Sequence, residues 1–439
     1  MLRKLLNKLN SVPPALYTSA IEGTLTNTIW KTVKGLWIKC WKEADRIIGI
    51  IFRYFLKNSL PTVQNKVFFH TQENKYTCNP KYITEELRRQ GFGDLEVVWK
   101  MPKKDRGGVP EGIRAVPINT VEYFRELYSS KVIITNSFLF LGVPVKLKKD
   151  QILLQTWHGS LGIKKYGQDD IHDYWRRVMA LKQTGQMTSY CISNSDLENH
   201  SFRDTYWPKT PIVEYGHARN DLFFDNFKEK RAELKKKIFE EYGIDEDMHV
   251  IMYGPTFRDD KSLKYYDIDF KKLLETVTKK FGGKWCLFLR YHPSMSKVKE
   301  IATKTEALQR KKLPVYNVTD YLDMQELIAV TDIAVTDYSS WIYDFVLMRK
   351  PGFIFATDIE SYDRGFYYPI ETTPFAISRS SDQLMKDIMA YDEASYLEKV
   401  EAFLEEKGCV DDGHAAERVV RMIRDLTKGK RPKDAIRKV

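Results

Sequence analysis

The chain has 439 residues, of which 43% are hydrophobic and 13% aromatic, and this length predicts two globular domains of ordinary size. The net charge of +11 lies at the ends, in residues 1–60 and 428–439, while the body holds 54 basic and 55 acidic side chains, which argues against a nucleic-acid enzyme. Five scattered cysteines, with no C-x-x-C pair and no secretory signal peptide, argue against a disulfide framework or a cysteine zinc site and predict a reducing cytoplasm.

The first 60 residues differ in character from the rest of the chain. Between residues 30 and 55, large apolar side chains recur at spacings of three, four or seven, and basic side chains fall on the opposite helical face. The longest charge-free run there, 47–52, is far too short to span a bilayer. This pattern predicts an amphipathic helix in the headgroup region of an anionic membrane; the alternative is packing on the protein's own core or on a second copy, in a homo-oligomer. The residues assigned to the membrane surface are Trp30, Trp37, Trp41, Lys42, Arg46, Phe52 and Phe55.

From residue 61 onward the pattern alternates between strands and helices. Buried apolar runs of four to six residues separated by helical stretches predict a parallel sheet covered on both faces. We therefore assign residues 61–226 to a first doubly wound α/β domain. Its strands are expected at 66–69, 95–99, 132–137, 152–157, 191–194 and 212–215, with a helix at 80–89.

A charged helix at 227–242 leads to a second series of the same kind. Residues 227–415 are assigned to a second doubly wound domain, and 416–439 to a final helix with a basic tail. That tail would either assist membrane binding or form a solvated end. Open α/β sheets bind ligands at the carboxyl ends of their strands, so polar residues directly after strands are the candidates for a site. The second set of strands is expected at 250–253, 285–289, 315–318, 333–335 and 353–355.

One stretch, 333–351, indicates a phosphate site. Its apolar run predicts a buried strand, followed by a turn and by Ser339 and Ser340 in the first turn of an amphipathic helix. Free N–H groups and the positive end of the helix dipole favour phosphate at such a position. The alternative is an ordinary serine N-cap.

Four further segments place phosphate-compatible side chains after strands. These segments contain two histidines from different domains, His158 and His292, together with three arginines, Arg219, Arg258 and Arg290. Neutral histidine accepts a proton, protonated histidine neutralises phosphate, and arginine matches phosphate with two parallel hydrogen bonds. The segments are 156–162, 216–221, 254–259 and 290–293.

The ordered set of these motifs resembles the CDP-glycerol glycerophosphotransferase family of wall teichoic acid and capsule synthesis, over roughly residues 61–425. The resemblance implies a GT-B fold, with two Rossmann-like domains facing each other across a cleft. It also implies a peripheral enzyme on the cytoplasmic face of the cell membrane, with the CDP-activated donor in the C-terminal domain. The motifs are Trp157-His158-Gly159, Arg219-Asn220-Asp221, Pro255 through Asp259, Arg290 through Pro293, Thr336 through Ser340 with Asp344, and Tyr362 through Tyr367.

Site roles follow from the resemblance position by position. His158 matches the proposed general base, and His292 matches the histidine proposed to contact the donor diphosphate. The chain departs from the family pattern at Ser160-Leu161-Gly162, where Thr-Pro-Leu is usual, and at Ala218, where proline is usual. The first departure lies near the expected entry of the acceptor. The positions matched to donor binding are Gly159, Ser160, Arg219, Pro255, Thr256, Arg258, Arg290, Thr336, Asp337, Ser339, Ser340, Asp344 and Arg364.

The implied reaction is attack by an acceptor hydroxyl on the phosphorus that bears the polyol, with expulsion of CMP. The donor would be CDP-glycerol or CDP-ribitol, and the acceptor a lipid-linked saccharide or polyol phosphate. No tightly bound cofactor is expected; Asp337 and Asp344 could ligate Mg²⁺, although arginine and histidine can supply the same charge. Fold alone leaves two alternatives, a GT-B glycosyltransferase with a nucleotide-sugar donor and a catalytically silent membrane scaffold. The presence of both histidines argues against the scaffold.

Overall fold

Strand and helix assignments come from a computed structural model of the chain. It describes residues 49, 51–71, 74–118, 120–139, 146–165, 182–256, 258, 267–292, 306, 309–310, 312–362 and 365–432. The chain forms two compact units, Met1–Ser59 and Leu60–Val439. Arg364 and five of the residues assigned to the membrane surface, Trp30, Trp37, Trp41, Lys42 and Arg46, lie outside the described residues.

In the first unit, residues 51–59 are helical. This helix exposes large apolar side chains, including Phe52 and Phe55 at 40% and 67% of their surface. Within the described residues, no helix combines the length and the apolar character needed to cross a bilayer.

The second unit contains two parallel sheets, and these confirm the predicted α/β class. The first has seven strands in the order β3-β2-β1-β4-β5-β6-β7, and all of its neighbours are parallel. Its central strands are almost entirely buried, as expected for a sheet covered on both faces. Its strands are β1 Val63–His70, β2 Glu96–Lys100, β3 Arg114–Val116, β4 Ser130–Thr135, β5 Ile152–Gln155, β6 Tyr190–Ser193 and β7 Ile212–Glu214.

The second sheet has six parallel strands in the order β10-β9-β8-β11-β12-β13. The strand order reverses between β8 and β11 here, and between β1 and β4 in the first sheet. Such reversals open a crevice at the carboxyl ends of the strands, where α/β proteins bind ligands. The strands are β8 Met248–Tyr253, β9 Lys284–Leu289, β10 Val315–Asn317, β11 Ile333–Thr336, β12 Gly352–Phe355 and β13 Ala376–Ser378.

Helices cover these sheets, and several begin at a residue whose side chain caps the first turn. The Thr120, Ser195, Asp269 and Asp392 side chains each accept a hydrogen bond from a first-turn N–H, as N-cap residues commonly do. The α-helices of the second unit that lie wholly within the described residues are α1 Cys78–Arg89, α2 Val121–Ser129, α3 Asp196–Thr205, α4 Lys228–Tyr242, α5 Phe270–Phe281, α6 Met324–Val330, α7 Trp341–Phe345, α8 Ser381–Met389, α9 Glu393–Glu406 and α10 Ala415–Thr427.

The last helix, α10, returns to the first sheet. Val419, Val420 and Ile423 of α10 are buried in the same core as Val67 and Ile134 of the first sheet. The Asp221 carboxylate accepts the N–H groups of the first two residues of α10, at 2.9 and 2.7 Å. Residues from the end of the chain therefore complete the core of a sheet formed near its beginning.

Candidate active site

A strained turn after β5 presents His158. Trp157 has a φ of 52°, in the left-handed region that a tryptophan rarely adopts. Its ring packs edge-on against Trp207, with centroids 5.3 Å apart, and this packing helps to hold the turn. A Cβ at Gly159 would lie 2.9 Å from the Trp157 ring nitrogen, so glycine is needed there. The backbone of the Trp-His-Gly motif thus forms a single, closely packed turn that orients His158.

The orientation of the His158 ring assigns its tautomer. Nδ1 lies 2.6 Å from the carbonyl oxygen of Asn136, just beyond β4. A carbonyl only accepts hydrogen bonds, so Nδ1 carries the proton and the basic lone pair of the neutral imidazole is on Nε2. This is the arrangement that a general base requires.

Arg219 binds the backbone of the same turn. Its guanidinium donates to the carbonyl oxygens of His158 and Gly159 at 2.6 and 2.8 Å, and it forms an ion pair with Asp344 of α7 at 2.9 Å. Arg219 and Asp344 are both buried. In this conformation the two residues position the histidine turn and link it to the second sheet, instead of facing an open crevice.

The segment that follows His158 packs against the second sheet. Leu161 and Ile163 are fully buried in the core that covers one face of that sheet, and the Tyr368 hydroxyl donates to the Leu161 carbonyl at 2.5 Å. A Cβ at Gly162 would lie only 3.0 Å from Cβ of Ser340. The histidine turn and the Ser339-Ser340 segment, predicted from different sheets, are therefore brought together.

Ser339 and Ser340 lie between β11 and α7, and their surroundings differ from the prediction. The helix begins at Trp341 and has five residues, and the Ser340 side chain makes no capping hydrogen bond. Both serines are half-buried, and within the described part of the chain neither hydroxyl has a hydrogen-bond partner. The ordinary N-cap role is thus not observed, and both hydroxyls remain available to a ligand.

Beside these serines, the predicted donor-binding charges are paired with each other. Asp337 accepts the backbone N–H of Thr256 at 2.8 Å and pairs with Arg258 at 2.9 Å. Arg258 also pairs with Asp358 at 2.7 Å and lies over the Tyr338 ring. Burial acts to raise the pKa of Asp358, but its bonds to Arg258 outweigh this and hold the pKa below the usual range. These contacts fix the loop after β8 against the loop after β11.

Arg290 and His292 follow β9. Arg290 Nη1 donates to the carbonyl oxygens of Val318, Thr319 and Tyr321 at 2.5–2.7 Å, so this nitrogen organises the loop after β10. His292 is exposed.

The remaining predicted positions are buried. Ser160 accepts a hydrogen bond from Asn194 at 2.8 Å, and Thr336 donates to the Gly254 carbonyl at 2.6 Å. Pro255 is buried after β8. Asp337 and Asp344 are each paired with an arginine, and the described residues contain no group of three or more potential metal ligands.

A buried acidic network behind the histidine turn was not predicted from the sequence. His217 Nε2 lies 2.8 Å from Glu198, and the Asp411 carboxylate accepts the His217 N–H and the Asn194 and Asn220 amides. Burial opposes protonation of His217, but Glu198 and Asp411 raise its pKa above the ordinary histidine value. Asp411 lies almost 200 residues away in sequence, and no local pattern indicates that contact.

Comparisons with known proteins place the chain in a family. The family described as CDP-glycerol:poly(glycerophosphate) glycerophosphotransferase matches residues 52–425. A teichoic acid poly(glycerol phosphate) polymerase of Bacillus spizizenii is 26% identical over 85% of this chain and 95% of its own length. The corresponding Staphylococcus epidermidis polymerase is 27% identical over 78% of this chain, which spans only 48% of that longer protein.

Other relatives at 25–27% identity are ribitol-phosphate enzymes of Bacillus spizizenii and Staphylococcus aureus. A solved structure of the wall teichoic acid polymerase TagF superposes with a TM-score of 0.74 at 24% identity, covering 90% of this chain and 98% of that one. This likeness confirms the predicted GT-B-type fold. The chain therefore belongs to the CDP-glycerol:poly(glycerophosphate) glycerophosphotransferase family.

Proposed function

We propose that this protein transfers glycerol phosphate or ribitol phosphate from a CDP-activated donor to a hydroxyl of a lipid-linked teichoic acid or capsule acceptor, releasing CMP. The observation that carries the proposal is the close approach of Gly162, four residues after His158, to Ser340 at the end of β11. The segment that begins with His158, whose basic nitrogen is Nε2, thereby reaches the two serines after β11, whose hydroxyls have no hydrogen-bond partner among the described residues.

The donor fits the carboxyl edge of the second sheet. Ser339 and Ser340 follow β11, directly beside the loop after β8, at the point where strand order reverses. Their hydroxyls would donate to the donor diphosphate, and His292 would contact it from the end of β9. Arg258 and Asp337 support this crevice by holding its two loops together.

The acceptor fits the edge of the first sheet. His158 Nε2 would take the proton of the acceptor hydroxyl as its oxygen attacks the phosphorus that bears the polyol. One P–O bond forms, the bond between that phosphorus and the CMP oxygen breaks, and CMP leaves with the electron pair. Arg219 takes part by holding the His158 and Gly159 carbonyls.

This division of labour corresponds to residues 61–226 as the acceptor domain and 227–415 as the donor domain. We further propose that residues 1–60 bind the anionic cytoplasmic face of the cell membrane, where a lipid-linked acceptor is found. The exposed Phe52 and Phe55 support this assignment. Residues 416–439 include all but the first residue of α10, which packs on the first sheet.

A donor screen tests the proposal. CMP release would be measured from CDP-glycerol and CDP-ribitol with a lipid-linked acceptor mimic, with a UDP-sugar as control and EDTA to test for a metal. Release of CMP from one CDP-polyol supports the proposal and names the donor. Turnover of the UDP-sugar alone would instead indicate the glycosyltransferase alternative, and no turnover of any donor would favour the scaffold.

A further inference from the structure

A buried pair of basic side chains lies at the carboxyl ends of β1 and β2, and the reaction above does not use it. Lys100 Nζ lies 2.8 Å from His70 Nε2, and the two residues are 4% and 3% exposed. The register of β1 and β2 pairs Phe69 with Trp99, so the next residues along, His70 and Lys100, are neighbours. Among the described residues, the buried Nδ1 atom of His70 has no hydrogen-bond partner.

Lys100 has no acidic partner, unlike the other buried lysines. Three lysines are buried in the described part of the chain, and two of them contact carboxylates: Lys66 with Glu126 at 3.0 Å, and Lys407 with Glu406 at 2.7 Å. Burial lowers the pKa of Lys100 to about 7. A buried amine without a counter-charge is costly, and groups with such strongly shifted pKa values cluster at functional sites.

The N-terminus of α2 meets the same edge. Glu126 near the end of α2 contacts Lys66 early in β1, whereas Tyr123 near its start lies 6.2 Å from the His70 ring, so the helix runs antiparallel to the strand. The positive end of the α2 dipole therefore points toward the Lys100–His70 pair.

The pair also lies where a ligand is expected. Strand order in the first sheet reverses between β1 and β4, which marks the crevice at the end of β1. His158 follows β5, two strands from β1, which corresponds to roughly 10 Å at about 4.8 Å per strand. A chain whose reacting hydroxyl lies at His158 can thus extend along this edge to Lys100.

We propose that Lys100 and His70, with the first turn of α2, bind a phosphate group of the acceptor. This rests on the proposed function, in which the acceptor carries phosphate. Lys100 supplies the charge, and His70 Nδ1 and the first-turn N–H groups of α2 other than that of Tyr123, which Thr120 caps, supply further contacts. The bound phosphate provides the counter-charge that Lys100 lacks.

Acceptor kinetics test the proposal in the full chain. Lys100→Met should raise the acceptor KM roughly ten- to a hundred-fold, the effect of losing one charge-assisted hydrogen bond, with little change in the KM for the CDP-polyol. The matched control is Lys131→Met, at the amino end of β4, where the Lys131 Nζ donates to the Asp150 carbonyl. Both KM values should stay at wild-type levels in this control. The KM change caused by Lys100→Met would be compared between an acceptor with only a lipid diphosphate and one with an added polyol phosphate. The acceptor that shows the change identifies which phosphate is bound.

A second readout does not depend on turnover. In protein with labelled histidines, the His70 resonance, assigned with His70→Gln, should shift on addition of inorganic phosphate to wild type and not to Lys100→Met. An unchanged His70 resonance together with a wild-type acceptor KM in Lys100→Met would overturn the proposal. A phosphate-dependent shift in a protein that releases no CMP would overturn the proposed function and leave the anion site standing.

Discussion

His158 owes its position to groups that are mostly backbone and buried. The Asn136 carbonyl assigns its tautomer, the packing of Trp157 holds its turn, and Arg219 binds two carbonyls of the turn. Several charged residues expected to contact the donor are instead paired with each other or with backbone carbonyls. Among them Arg219 and Asp344 form the buried link on which the turn depends.

Removing Arg219 should destabilise the protein as well as reduce activity. Arg219→Met leaves the Asp344 carboxylate buried without a cation, at an expected cost of about 3–5 kcal/mol in the free energy of unfolding. Arg379→Met breaks an exposed ion pair with Glu360 and should cost at most about 1 kcal/mol. Urea unfolding of both variants measures the difference, and similar unfolding midpoints would show that the buried link is not needed.

Lys100 gives a prediction about pH. Its pKa is about 7 in the folded protein and near 10.5 in the unfolded chain, because burial disfavours its charge. Between these values the unfolded state binds more protons, so this group makes folding more favourable as pH rises from 7, by up to about 1.4 kcal/mol per unit.

The measurement is urea unfolding of wild type and Lys100→Met between pH 7 and 9.5. His70 faces the Lys100 amine from β1, and Tyr123 of α2 packs near His70, so both residues are kept in the variant. Wild type should gain stability relative to Lys100→Met steadily as pH rises. A pH-independent difference would mean that Lys100 keeps its charge when buried.

At the scale of elements, the sequence predicted the central strands but not one edge strand in each sheet. The expected strands at 132–137 and 333–335 correspond to β4 and β11, because buried parallel strands are continuous apolar runs. The missed strands, β3 and β13, have three residues each and a partly exposed edge position, so they carry no such run. The candidate site was predictable as segments after strands, but the arginine–aspartate pairing within it was not, since it joins distant parts of the chain.

A cluster of ion pairs between α1 and the start of α6 links helices that belong to the two sheets. Lys81 pairs with Asp323 and Glu326 at 2.5 and 2.6 Å, and all three side chains are largely buried. Lys81→Met should cost about 3 kcal/mol or more because both carboxylates lose their closest cation, and Lys81→Arg should restore part of this. The control Lys230→Met, in an exposed pair on α4, should change stability by less than about 0.5 kcal/mol. Equal thermal midpoints for the two methionine variants would contradict this role.

At the scale of the whole molecule, the order of the chain and the order of packing differ. Helix α10 lies in the last 25 residues of the sequence, yet it fills the core of the first sheet. Its apolar face was visible in the sequence, but nothing local indicated which sheet it would cover. The contacts of Asp411 with His217 and Asn194 were likewise not predictable from local sequence.

The exposed face of the 51–59 helix leads to a prediction about membranes. Phe52→Glu with Phe55→Glu should weaken binding to phosphatidylglycerol vesicles at least ten-fold, because burying each ring is worth about 1.5–3 kcal/mol. Met389→Glu, a change at another exposed apolar side chain, serves as control. Co-sedimentation measures both, and equal binding of the two variants would contradict the membrane assignment.

The most direct test of the central claim is acceptor-dependent CMP release by His158→Ala. In the proposed reaction His158 is the general base, with its basic nitrogen on Nε2, so its loss should lower the rate roughly 100- to 10,000-fold while CDP binding persists. His200→Ala, at an exposed histidine on α3, should remain close to wild type. Near-wild-type release by His158→Ala would contradict the account of the site.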